Sequence, residues 1–198
     1  MKLSHTKYLI LLLFFASCGN EEKKIKNYGF QSTASKNLNV PIKLSEFANF
    51  GMLVDRIREI TCSDSISKLE IHIDNKIVNI YPNEDCDPPN FNPKSKQYLT
   101  FRNGKAYLNR SNLELNFELL NSKFKENFEY FKSSNGNGMG DYYFIIIESE
   151  RNEKVDGIAK IIIELTKGYN KLNTEIPLEI AFWEIPPEPP EPPPYEND

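Results

Sequence analysis

Histidine is nearly absent from this chain, and that absence excludes several chemistries at once. Of two histidines in 198 residues, His5 lies in the N-terminal leader, so His72 alone remains once the leader is removed. Histidine-built metal sites and Ser-His or Cys-His relays need partners that the rest of the sequence does not supply. His72 reads as a surface residue of a strand and is assigned no role. Long apolar runs are also missing: the longest, Tyr8 to Ala16, is nine residues, whereas a membrane-spanning helix needs about 20. Positive charge is not in excess. Lys plus Arg number 24 against 28 Asp plus Glu, a net charge of −4 that falls to −6 when Lys2 and Lys7 leave with the leader, so nucleic acid is not an expected partner. The glycine loop of Gly136, Gly138 and Gly140 stands before a strand, the reverse of the strand-loop-helix order that aims amides at a phosphate. It also lacks a calcium loop's acids, with Phe144 where a bidentate glutamate is required. A non-enzyme without cofactor or metal is the expectation.

What the sequence does contain begins with the leader. Lys2 and Lys7 precede the apolar core, and Phe15-Ala16-Ser17-Cys18 follows it. This arrangement resembles a bacterial lipoprotein signal, which implies removal of residues 1–17 and lipidation of Cys18. Several acyl chains on one residue would anchor the protein firmly to a membrane surface. Gly19 to Lys24 resembles the short acidic tag that sends some lipoproteins to the cell surface. Residues 18–39, rich in Lys, Asn, Ser and Glu, read as a flexible tether.

A first module is expected over 40–82. Ser45 is placed to cap a helix with Phe47, Phe50, Val54, Ile57 and Ile60 on one face, ending near Cys62. Two short strands around Asp74-Asn75 form a hairpin in which Leu69, Ile71 and Ile73 share a face with Val78 and Ile80, and His72 points the other way. Residues 83–96 read as a linker. Its acidic knot, Asn83 to Asp87, is a solvated stretch rather than a cation site. Cys62 and Cys86 are the even pair left in the body; in an oxidising compartment they bridge a loop of roughly 24 residues, worth about 3 kcal/mol in the chain-entropy account.

The second module, 97–184, opens with a hairpin signal at Asn103-Gly104, pairing Leu99 with Leu108 and Phe101 with Ala106. Ser111 to Glu114 has a capping-box pattern, followed by Phe117, Leu120, Phe124, Phe128 and Phe131 at helical spacing. Tyr142 to Ile147 is apolar throughout, the pattern of a mid-sheet strand. Val155, Ile158, Ile162, Leu165, Tyr169 and Leu172 then mark a helix, and Ile176 to Trp183 a returning parallel strand. The expected fold is α+β: a two-layer sandwich whose mixed sheet follows the order ββαβαβ, preceded by an α-ββ module. This order over Gln97 to Glu184, with Asn103 to Asn109 in the hairpin, Tyr143 to Glu148, Val155 to Leu165 and Ile176 to Trp183, resembles the periplasmic domain of the ExbD/TolR family. The resemblance implies a non-catalytic interaction domain that forms a homodimer and contacts other envelope proteins or the cell wall. Family members also carry a transmembrane helix with a proton-conducting aspartate. No segment here corresponds to it, so proton conduction is not carried over.

Residues 185–198 form a Pro-rich tail with seven of the thirteen prolines: Pro186, Pro187, Pro189, Pro190, Pro192, Pro193 and Pro194. Such a run favours extended polyproline II. It reads first as an exposed acidic tail and second as a docking ligand for a partner's aromatic groove. Together these features point to a lipid-anchored scaffolding protein of the bacterial cell envelope, facing the periplasm or the cell surface. The alternative is a protective, immunity-type or ligand-capturing surface lipoprotein.

Overall fold

A computed structural model describes residues 24–29, 38–73, 76–83, 86, 98–108, 111, 113–133 and 143–185. The fold is α+β, with three α-helices and two mixed sheets among these residues. In chain order the strands and helices are β1 (Lys24–Gly29), β2 (Asn39–Ile42), α1 (Phe50–Thr61), β3 (Ile66–Ile73), β4 (Lys76–Tyr81), β5 (Tyr98–Arg102), β6 (Lys105–Leu108), β7 (Glu114–Leu115), α2 (Phe117–Ser133), β8 (Tyr143–Ser149), α3 (Ile158–Lys171) and β9 (Leu178–Glu184). The first sheet has the order β1-β4-β3-β2 and the second β7-β6-β5-β8-β9.

Burial explains the position of β8. Every one of its residues from Tyr143 to Ser149 is buried, because β5 and β9 pair with it on either side, both in parallel. In the hairpin beside it, Leu99 lies opposite Leu108 and Phe101 opposite Ala106. Asn103 and Gly104 take positive φ at the turn (51° and 71°), as a two-residue hairpin loop of this type requires. In the first sheet Leu69 pairs with Ile80 and Ile71 with Val78, all four buried. Tyr143 is boxed by the rings of Phe124, Phe128 and Phe131, with centroids 5.3 to 5.5 Å away. Leu120, Phe124 and Phe128 of the α2 stripe are therefore core, with Phe131 partly buried against them, whereas Phe117 at the helix start is exposed; burial raises the Tyr143 phenol well above its ordinary range.

Three local expectations are corrected. Lys24–Gly29, read as part of a flexible tether, forms β1, parallel to β4, with Tyr28 buried against the ring of Tyr169 on α3. Its signal is faint because it is a short edge strand with one anchoring aromatic. Ser45 does not cap α1: residues Leu44–Glu46 form a 3-10 turn, and the cap is Asn49, whose Oδ1 accepts from the Met52 amide at 2.9 Å. Ser111 to Glu114 is not a capping box. The Ser111 hydroxyl accepts from Leu113 N, Glu114 enters the two-residue β7, and Asn116 caps α2 by accepting from Leu119 N at 2.8 Å. In both helices an asparagine nearer the first buried turn takes the role that spacing alone gave to a serine.

The two sheets share one core. A single apolar cluster extends from Tyr28 and Ile42 through α1, α2 and α3 to Ile180 and Phe182. The start of α1, whose first amides have no partner within the helix, is satisfied from the second half of the chain: Phe50 N donates to Glu153 O at 2.7 Å and Gly51 N to Arg151 O at 2.8 Å. The Arg151 guanidinium then bridges Asp55 of α1 and Glu184 of β9. Asn83, expected to begin the linker, is pinned to β9 by a hydrogen bond that its backbone amide donates to Ile180 O at 2.9 Å.

Candidate functional site

A cleft of about 370 Å³ lies between β1 and the junction of α3 with β9. On one side stand Lys26, Asn27, Tyr28 and Gly29, and on the other Tyr169, Asn170, Pro177 and Leu178. The volume falls within the range of small-ligand sites. The floor is tied by a reciprocal pair: the Tyr28 hydroxyl donates to Asn170 Oδ1 at 3.2 Å, or accepts from Asn170 Nδ2 at 2.8 Å. Burial raises the Tyr28 phenol, with the Asn170 amide pulling the other way. Tyr169 is fixed by donating to Ile176 O at 2.6 Å. Asn27, exposed on β1, accepts at Oδ1 from Asn79 Nδ2 at 2.8 Å. Lys26 is exposed and has no ion-pair partner among the described residues. The groups on offer are an ammonium, an amide and two phenol rings, a set suited to holding a ligand.

A second polar centre lies where the sheets meet. Glu179 is 5% exposed, and its carboxylate accepts a hydrogen bond from Asn83 Nδ2. Burial pushes its carboxyl above the ordinary range, and the Asn83 amide offsets part of that. On the same face of the second sheet, Thr100 donates to the buried Glu148 carboxylate at 3.0 Å. Beside it Phe144, Ile146 and Ala181 form a small cluster with Trp183, separate from the main core.

No protein-family model, curated protein or solved structure matches the chain. The site is thus read from its own geometry.

The structure brings Cys62, at the C-terminus of α1, and Cys86 to disulfide distance, with Cα atoms 5.4 Å apart. His72 is exposed, with Nε2 3.9 Å from a Glu70 oxygen. Cys18, the seven tail prolines and the glycine loop at 136–140 lie outside the described residues. Of the acidic knot, only Asn83 and Cys86 are described. No cluster of metal-ligating side chains occurs among the described residues, and no helix there is long and apolar enough to cross a membrane. Sequence reasoning missed Tyr28, Asn170, Asn83 and Glu179. Only Tyr28 carried any signal, as the aromatic in the alternating run Lys24 to Gly29; the others acquire their roles through contacts between residues 96 and 142 positions apart.

Proposed function

We propose that this chain is a cell-envelope lipoprotein, anchored through acylated Cys18, whose body works as a non-catalytic scaffolding or protein-binding module. The finer architecture proposed is a two-layer sandwich akin to the ExbD/TolR periplasmic domain, with the two-residue β7 added to the ββαβαβ order and without that family's proton-conducting helix. Partners would be other envelope proteins or the cell wall, with homodimerisation through a sheet edge. The observation that carries this reading is the basic, apolar and small-residue succession from Lys2 to Cys18. The α+β body that follows, with an open cleft lined by Lys26, Asn27, Tyr28 and Asn170, is consistent with it.

The test is intact mass and membrane partitioning of the chain made in a Gram-negative host, beside Cys18→Ala. An acyl mass and membrane retention that both vanish in the variant are expected. A soluble, unmodified wild type would overturn the anchor. Crosslinking in cells then asks for the partner, and recovery of neither a second copy nor an envelope component would count against scaffolding. The cleft of Lys26, Asn27, Tyr28 and Asn170 favours a second reading, a surface lipoprotein that captures a ligand. A stable monomer whose ligand binding is lost in Asn170→Ala would select it.

A further inference from the structure

The start of β1 fixes how the body must sit on its membrane. Lys24 is six residues beyond Cys18, and a fully extended chain advances at most about 3.6 Å per residue, so the two are within about 22 Å of each other. Because Lys24 is paired with Lys76 of β4, that limit applies to this corner of the first sheet.

What stands at that edge matches a lipid surface. In the register of the first sheet Lys24 lies beside Lys76, and Ile25 beside Ile77; across β4, Lys76 meets Ile73 and Ile77 meets His72. Adjacent rows therefore alternate, one carrying two lysines and the next carrying isoleucines. Lys24, Lys26 and Lys76 are exposed and have no ion-pair partner among the described residues, while Ile25 is 58% exposed. The nearest described acid of β3, Glu70, is already engaged by Lys68 at 2.6 Å and faced by His72. Glu21 and Glu22 precede the strand, and the run Glu21 to Lys26 retains a net positive charge. Lysine stems bury along apolar surface while their ammonium groups reach phosphate, and Ile25, which the pleat turns to the opposite face of the same edge strand, adds an exposed apolar side chain at that corner. A short tether gives a high effective concentration of surface, so a contact too weak to recruit the free protein is still populated once anchored.

We propose that the corner formed by Lys24, Ile25, Lys26 and Lys76 is the membrane-facing end of the protein and rests on the anionic headgroups of a bilayer. This deepens the lipoprotein reading and rests on the acylation of Cys18. The second sheet's far edge, β6 and β7, is then available to partners.

The test is hydrogen exchange by mass spectrometry on the acylated full chain, reconstituted in vesicles of phosphatidylcholine with 30% phosphatidylglycerol, beside the soluble Cys18→Ala protein. Amides of 24–28 and 76–78 are expected to exchange more slowly on vesicles, by about fivefold for each lysine engaged. Lys24→Gln/Lys26→Gln/Lys76→Gln, still acylated, should lose that protection, and residues 105–115 should not change. An acylated protein whose β1 and β4 amides exchange as in solution, or are protected equally in the triple variant, overturns this inference and leaves the anchor standing. Absence of an acyl mass overturns both.

Discussion

Gly157 takes φ 95° where the loop after β8 turns into α3, and a Cβ there would lie 2.8 Å from the Gly104 carbonyl oxygen. Neither the backbone conformation nor the approach of one turn to the other suits a side chain. Gly157→Ala is therefore expected to cost about 1–3 kcal/mol, read as a lower urea midpoint; an unchanged midpoint would show that the loop and the β5-β6 turn separate freely. Glu179 acts in the opposite direction. Its native carboxyl is raised, so its contribution to folding is complete only below the ordinary glutamate value and is lost as pH climbs through the raised one. At neutral pH the buried carboxylate costs stability that a neutral isostere would not. Glu179→Gln keeps an oxygen for the Asn83 amide, and should be more stable than wild type at neutral pH with a difference that shrinks on acidification. Urea midpoints of the two proteins from acid to neutral pH check this, and a difference independent of pH would remove Glu179 as the cause.

Among the elements, β1 has the greatest consequence relative to its length. Tyr28 is its single buried side chain, packed against Tyr169 and bonded to Asn170, so Tyr28→Ala should destabilise the protein by about 3 kcal/mol. A tether residue would tolerate the change, and a thermal midpoint within error of wild type would return 24–29 to that role. The Cys62–Cys86 link acts on the connection rather than on a strand. Its sequence separation of 24 residues gives an expected loss of about 3 kcal/mol on reduction, to be measured by comparing urea midpoints with and without reductant. Legibility followed periodicity. The apolar run to Ile147 and the α3 stripe are readable because burial on a regular spacing is written in consecutive letters, and the turn at Asn103-Gly104 because positive φ restricts residue choice; the buried polar end of the strand, Glu148 and Ser149, is not. The true caps Asn49 and Asn116 were not, since asparagine and serine compete on nearly equal terms and the packing of the first turn decides. The cleft was hidden for a different reason: Tyr28 and Asn170 are distant in sequence, and neither residue type alone marks a site.

At the scale of the whole molecule, the sequence reads as two modules joined by a linker, and the contacts bear on whether they behave as two. Composition changes sharply after Tyr81, at Asn83 to Pro89, and such breaks usually separate independent cores. Here the first amides of α1 are satisfied by the loop between β8 and α3, Asn83 is bonded to β9, and one apolar cluster runs through both sheets. Breaking the first module would leave Phe50 N and Gly51 N without their partners and expose Phe182, which packs its ring 6.3 Å from that of Phe50. Each half thus contributes to the stability of the other, the condition for a single cooperative transition. Trp183, the only tryptophan, reports on the second sheet, whereas far-ultraviolet circular dichroism reports on every helix. Urea curves from the two probes are expected to coincide, and Tyr28→Ala, a change in the first sheet, should shift the Trp183 curve by as much as the circular dichroism curve. If Trp183 keeps its wild-type midpoint while the dichroism midpoint falls, the halves unfold separately and the linker reading is correct.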